Sequence, residues 1–180
     1  MNFYIGDTHF GHANCIKFDN RPFESVEEMD RMLMNNWNNR VSENDDVWIL
    51  GDFCYRSDKD PAYFLKRLKG HKHLIMGNHD RATVNSQEAC SLLESIDKMQ
   101  YVMEGKDSIV LCHFPIAEWN RKGRGSYHIY AHIHNAVDDI YRFMSKMERA
   151  LNAGCMINGY QPVTFKELIV NNRIFQSLNE

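Results

Sequence analysis

A chain of 180 residues has the length of one domain, enough to bury roughly 70% of the surface it exposes when unfolded. With 43% hydrophobic and 25% charged residues and a formal charge of −3, the composition is that of an ordinary globular protein and gives no sign of a basic nucleic-acid tail or a polybasic membrane patch. The acidic balance does not exclude a nucleotide substrate, because bound cations reverse the local field.

Phe3 to Ile5 is a short β-prone run ending at Gly6-Asp7, and a loop with Gly11 and Asn20-Arg21-Pro22 follows. Ser25-x-x-Glu28 reads as a capping box, with Val26, Met29, Leu33 and Trp37 at helical spacing behind it, so a helix is expected over 26–40. Val47 to Leu50 is a buried strand that again ends in Gly-Asp, Gly51-Asp52. Pro61 opens a second helix with an apolar face of Tyr63, Phe64, Leu65 and Leu68, closed by Gly70. His73 to Met76 is a third strand, ending in Gly77-Asn78-His79-Asp80, and 87–97 reads as a helix. Strands are expected over 98–104 and 108–112 around the turn Gly105-Lys106-Asp107, with His113 at the exit, and over 127–131, before His132-Ile133-His134. Residues 140–151 have partial helical periodicity that also fits a strand or an insertion; Thr164-x-x-Glu167 is a late capping box before a short helix. With no repeat, linker or low-complexity segment, 1–180 is expected to be a single unit.

Five scattered cysteines without a C-x-x-C pair argue against a disulfide framework and a zinc ribbon, and suit a reducing compartment. Met1 to Asp7 lacks a basic n-region, and no run approaches the ~18 apolar residues of a membrane span, so no membrane association and a cytoplasmic location are expected.

The regularity lies in what ends the strands: Asp7-x-His9, Asp52, Asn78-His79-Asp80, His113 and His132-x-His134. In layered α/β folds ligands gather beyond the carboxyl ends of strands, which would bring these distant residues together. Carboxylate and imidazole donors without thiolate suit Mn²⁺, with Fe, Zn²⁺ or Ni²⁺ as alternatives. Asp7, His9, Asp52, Asn78, His113, His132 and His134 are too many for one ion with an open position, but enough for two ions sharing a carboxylate. Such a pair, ~3.5–4 Å apart, clamps a phosphoryl group and acidifies a water.

The ordered set D-x-H, G-D, G-N-H-D, H and H-x-H resembles the calcineurin-like metallophosphoesterase family; Gly-Asp alone is weak, but five pieces in order, each after a strand, are specific. The resemblance implies a four-layer αββα sandwich of two mixed sheets. It also implies that Asp7, His9 and His134 hold one metal, Asn78, His113 and His132 the other, and that Asp52 bridges them. His79, oriented by Asp80, would protonate the leaving group as a metal-activated hydroxide attacks phosphorus.

Taken singly, each aspartate reads equally as a turn or helix cap and each histidine as a surface or core residue; the shared order argues against that jointly. His12 either touches substrate or lies in an exposed loop, and Arg121-Lys122-Gly123-Arg124 is either a nucleotide contact or a solvated loop. His71, His73 and His128 read as structural or surface residues, Cys112 as a packed thiol, and the methionines 29, 32 and 34 as helix core. Protein Ser/Thr phosphatases of the superfamily resemble G-D-x-V-D-R-G and R-G-N-H-E; here Arg56 takes the first phosphate-arginine position and Met76 replaces the second. Because a phosphomonoester dianion gains more from arginine clamps than a diester monoanion, a phosphodiesterase acting on a small nucleotide-like substrate is the first reading. A nuclease or nucleotide phosphomonoesterase is the second, and a non-catalytic scaffold, which would have lost His79 or ligands, the third. Ala131 stands where the family pattern has a glycine before H-x-H.

Overall fold

The structure, a computed structural model, describes residues 1–179. Two mixed sheets carry the fold. The first has the order β4-β3-β2-β1-β9 and consists of β1 (Asn2–Ile5), β2 (Asp46–Ile49), β3 (His71–Ile75), β4 (Ser95–Asp97) and β9 (Val163–Thr164). Its first four strands are parallel, and β9 is antiparallel to β1. The second, β5-β6-β7-β8, consists of β5 (Met99–Glu104), β6 (Asp107–Cys112), β7 (Tyr127–Tyr130) and β8 (Ala150–Asn152), with only β5 antiparallel.

Alternation along the strands produces the layers. Tyr4, Ile109, Leu111, Ile129 and Leu151 meet between the sheets. Phe3, Ile5, Val47, Ile49 and Leu74 turn outward beneath α2 (Val26–Arg40) and α3 (Pro61–Leu65), against Met29, Leu33, Trp37 and Phe64. On the far side, Val110, Tyr130 and Ala150 pack under Trp119 and under Tyr141 and Met144 of α6 (Asp139–Met144). Three apolar seams make four layers, the αββα sandwich expected. Among the described residues no helix is long and apolar enough to cross a membrane.

The caps read from sequence form. Ser25 accepts the Glu28 N–H, and Thr164 and Glu167 close a reciprocal box that opens α7 (Phe165–Ser177), a longer helix than expected. Three expectations are corrected. The helix read over 87–97 stops as α5 (Gln87–Cys90), and 95–97 is strand β4: only Ala89 of that helix is buried, and Glu94 N–H is captured by Lys72 O at 2.8 Å, drawing the chain onto the open edge of β3. The helix opened by Pro61 ends at Leu65 rather than running to Gly70. The loop after Gly11 contains α1 (Ala13–Phe18), and α4 (Arg81–Asn85) follows Asp80 directly. The ambiguous stretch 140–151 resolves into both of its readings, helix α6 and strand β8.

The sheets are pinned where β1 and β8 end. Gly6 N–H donates to Ala153 O at 2.8 Å, and Gly6 O accepts from Cys155 N at 2.9 Å. A Cβ on Gly6 would lie 2.5 Å from the Cβ of Ala131, so the methyl that departs from the family pattern at 131 occupies space that Gly6 leaves open. Gly6→Ala should therefore destabilise by about 1–3 kcal/mol through overpacking. Ala131→Gly in the same chain should restore most of that loss, read as the coupling in a thermal double-mutant cycle.

Candidate metal centre

Each candidate ligand lies within four residues of the carboxyl end of a strand: Asp7 and His9 after β1, Asp52 after β2, Asn78 after β3, His113 after β6, His132 and His134 after β7. Five of them hold left-handed backbone, with φ of 54° at Asp7, 50° at His9, 53° at Asp52, 72° at His132 and 53° at His134. That region costs a non-glycine residue about 1–2 kcal/mol, and such strain persists where the surroundings over-determine it. Here they do. Asp7 and His9 N–H groups donate to Gly51 O and Asp52 O at 3.1 and 2.9 Å, tying the two loops together. Arg21, nearly fully buried, donates to Asp7 O and Thr8 O at 2.9 Å each. Asn152 Nδ2 holds His134 O at 2.8 Å, and His132 N–H donates to Asp7 Oδ1 at 3.1 Å. Gly51 and Gly77 are needed for the close approach: a Cβ on either would meet His113 Nδ1 at 2.5 Å or Asp52 Oδ1 at 2.3 Å.

The side chains converge into two groups whose donor atoms lie within 4.8 Å of one another: Asp7, His9, Asp52 and His134, and Asp52, His113 and His132. Asp52 belongs to both. Asn78 Oδ1 stands 3.1 Å from His113 Nε2, which joins it to the second group. Hydrogen bonds fix the tautomers. His113 Nδ1 donates to Leu50 O at 2.6 Å, and His134 Nδ1 to Asp19 Oδ1 at 2.8 Å, so both Nε2 atoms turn inward. This is the carboxylate- or carbonyl-supported imidazole common around metal ions.

The inward atoms are an acceptor-rich set. His9 Nε2 faces His134 Nε2 at 3.2 Å and Asp52 Oδ2 at 3.7 Å, while His113 Nε2 is 3.6 Å from Asp52 Oδ2. Asp7 Oδ2 is buried without a partner. Burial pushes the Asp7 carboxyl up to about 7 and raises Asp52. Burial also lowers His113 and His132, and drives His9 down to about 2. At His134 burial pulls down, but the Asp19 hydrogen bond and the Asp7 and Asp19 charges leave it raised. A largely buried set of carboxylate and imidazole donors with an orphaned oxygen fits a divalent cation, and the N/O donors suit Mn²⁺, Fe or Zn²⁺.

Around this centre, Asp80 differs from its expected role. Its oxygens accept main-chain N–H groups from Asp52, Phe53 and Gly77 at 2.7–2.8 Å, so it fixes the loops after β2 and β3 and acts on His79 through them rather than on the imidazole. His79 N–H donates to Asp52 Oδ1 at 2.8 Å, and its ring packs 4.0 Å from that of Tyr55. A cavity of about 330 Å³ opens beside the first group, lined by His9, His12, Phe18, Tyr55, Arg56 and His79 among others. His12 and Arg56 are thus brought to the centre; Arg121 and Arg124 line a different cavity, with Lys106 and Arg149. His73 and His128 are structural: His73 stacks on Trp48, and His128 bridges Val110 O and the Ile116 N–H. Met29 is core, whereas Met32 is exposed. Cys112 is a free, buried thiol.

Asp19, Arg21, Tyr55 and Phe18 were not read from sequence. Asp19 and Arg21 form an ion pair at 3.0 Å behind the ligands, linking His134 to the Asp7 loop. In sequence they sit beside Asn20 and Pro22 and look like any polar turn; an arginine that must be buried leaves no periodic trace.

The family model described as calcineurin-like phosphoesterase matches residues 3–145, and the chain belongs to that family. Over 183 aligned residues it is 31% identical to an uncharacterized protein of Methanocaldococcus jannaschii, covering 99% of this chain and 96% of that one. It is 27% identical to the Gene 66 protein of Mycobacterium phage L5, covering 73% of this chain and 76% of that one. A crystal structure of a protein of unknown function from Aquifex aeolicus shares the fold, with a TM-score of 0.73 at 22% identity over 93% of this chain and 96% of that one. The family makes a phosphate ester the expected substrate class and divalent metal the expected cofactor.

Two outcomes follow for the isolated protein. Mn²⁺ at a hundredfold excess over its dissociation constant should stabilise the EDTA-treated chain by about 2.7 kcal/mol, a rise in Tm of roughly 5–10 °C. At one fixed Mn²⁺ concentration the shift should be larger at pH 8 than at pH 5.5: a carboxyl raised to about 7 holds a proton at the lower pH that an incoming cation must displace. Asp19→Asn, which weakens the support of His134 Nδ1, should lower metal affinity about 10–100-fold by titration while the circular dichroism of the fold is kept.

Proposed function

We propose that the chain is a two-metal phosphodiesterase acting on a small nucleotide-like diester. The observation that carries this reading is that two donor groups share one carboxylate, Asp52. On this reading Asp7, His9 and His134 hold one ion, Asn78, His113 and His132 the other, and Asp52 bridges; Mn²⁺ is the proposed metal. When bound, the ions activate water for attack on phosphorus and neutralise charge gathering on the phosphoryl oxygens.

The side chains do the rest. His79 lines the cavity, is held through its N–H by Asp52 and is backed by the Tyr55 ring, so its imidazole is positioned to protonate the departing alkoxide. Asp80 keeps the loop that carries it in register by gripping the main chain of Asp52 and Gly77. His12 is 9% exposed, and neither ring nitrogen has a hydrogen-bond partner. A buried imidazole left unpaired is costly, and a substrate oxygen in the cavity satisfies it. Arg56 is the cation on this wall, its guanidinium 5.2 Å above the Tyr55 ring. One arginine matches the single charge of a diester better than the dianion of a monoester. Tyr55 and the exposed Phe18 offer flat apolar surface for a planar leaving group such as a nucleoside.

With Mn²⁺, the chain should cleave bis-p-nitrophenyl phosphate faster than the mono ester. The reverse order assigns it to phosphomonoesterases, and silence on both with no metal in the purified protein assigns it to scaffolds. His79→Ala should lower turnover of an alkyl diester about 10²–10⁴-fold yet leave bis-p-nitrophenyl phosphate within about tenfold, since nitrophenolate departs without a proton. Equal losses on both esters would remove His79 from the proton-donor role.

A further inference from the structure

The second cavity, of about 360 Å³, is walled by Lys106, Arg121, Arg124 and Arg149, with Asp107 as its one carboxylate and Ser108 and Ser126 between them. It lies where β6, β7 and β8 begin: Asp107 starts β6, Ser126 precedes β7 and Arg149 precedes β8. Candidate metal ligands follow the opposite ends of β6 and β7, so at about 3.3 Å per residue the six steps from Ser126 to His132 put the cavity roughly 20 Å from that residue. A molecule in one does not touch the other.

None of the four cations forms an ion pair among the described residues. On a chain of net charge −3 this is a concentrated positive cleft, and four like charges around one hollow repel each other unless an anion sits among them. The cleft is also partly preorganised. Arg149 Nη1 donates to Gly125 O at 3.0 Å and its guanidinium lies 4.7 Å over the Tyr127 ring, which holds that fork at the wall. Gly125, at φ 86°, and Arg121, at φ 61°, bracket the short turn that presents Arg124.

We propose that this cleft is a second anion site, independent of the metal centre, which takes a linear oligophosphate: two or more linked phosphate groups, free or carried on a nucleoside. Four cations against one carboxylate leave more positive charge around the hollow than a single phosphate neutralises, whereas a phosphate chain carries several negative charges spaced along its length. The volume is that of a small-molecule site, and the basic residues surround a hollow rather than forming the stripe that tracks a nucleic-acid backbone.

Calorimetric titration of the full chain in EDTA at low salt tests this, because phosphate cannot then be held through a metal ion. Inorganic tripolyphosphate and ATP should bind alike, and orthophosphate at least about tenfold more weakly. Arg124→Ala and Arg121→Gly should each weaken tripolyphosphate about tenfold. Both side chains are exposed, and glycine keeps the left-handed turn at 121; Arg149 is a poorer choice because it packs on Tyr127. Asp52→Asn should leave this affinity unchanged. No binding of tripolyphosphate, orthophosphate binding as tightly, wild-type affinity in both arginine variants, or loss in Asp52→Asn would each overturn the proposal. So would tight binding of a single-stranded oligonucleotide alone, which would make the cleft a nucleic-acid surface.

Discussion

The centre is governed by a conflict among acceptors. Asp52 sits where lone pairs from His9, His113 and His134 and the oxygens of Asp7 and Asn78 turn inward, with Asp7, His9, Asp52 and His113 themselves buried. Carboxylate oxygens and imidazole lone pairs packed this closely compete for few protons, and burial pushes Asp7 and Asp52 toward holding them and His9, His113 and His132 toward shedding them. A protein tolerates such a set when something positive is meant to enter it. The left-handed backbone at five of these residues is part of the same expense: strain is accepted to aim side chains that ordinary strand exits would send elsewhere.

What restrains that strain lies one layer back. Asp80 gathers main-chain N–H groups from the loops after β2 and β3. Arg21 gathers carbonyls from the loop after β1 and, through Asp19, steadies the imidazole of His134. Each is a charged group buried with its hydrogen-bonding capacity engaged, the condition under which buried charge specifies a geometry instead of disrupting it. His79 inherits its position from this framework, since its own N–H is fixed by Asp52.

The residues that converge were legible in the sequence because they are tied to strand ends, and a strand end is visible as an apolar run stopped by Gly-Asp, Gly-Asn or His. Asp80 was legible as a residue but not in its action, because a carboxylate next to a histidine looks like that histidine's partner until the competing N–H groups are placed. Asp19 and Arg21 were not legible: their partners lie 115 and 14 residues away, and neither lies on a periodic element. The same blindness affected β4 and β9. Three and two residues long, these strands exist because β3 and β1 leave edges to pair, which is a property of the sheet rather than of their own residues. The arginines at 121 and 124 were legible as a basic loop, but distance along the chain gave no sign that β7 carries them away from the ligands that follow it.

The centre also joins the two halves of the fold. Asp7, His9, Asp52 and Asn78 extend from the first sheet; His113, His132 and His134 extend from the second. The direct links at that end are local: Gly6 with Ala153 and Cys155, His132 N–H to Asp7 Oδ1, His113 Nδ1 to Leu50 O, and the contact in which Gly6 gives room to Ala131. Apolar packing between the sheets is non-directional and leaves their relative slide weakly defined, whereas cations with ligands from both sheets would set it to within a coordination distance. Cations held there would then clamp one sheet against the other. That accounts for a backbone so closely fitted around the ligands, with glycines at 51 and 77 where any side chain would push the sheets apart.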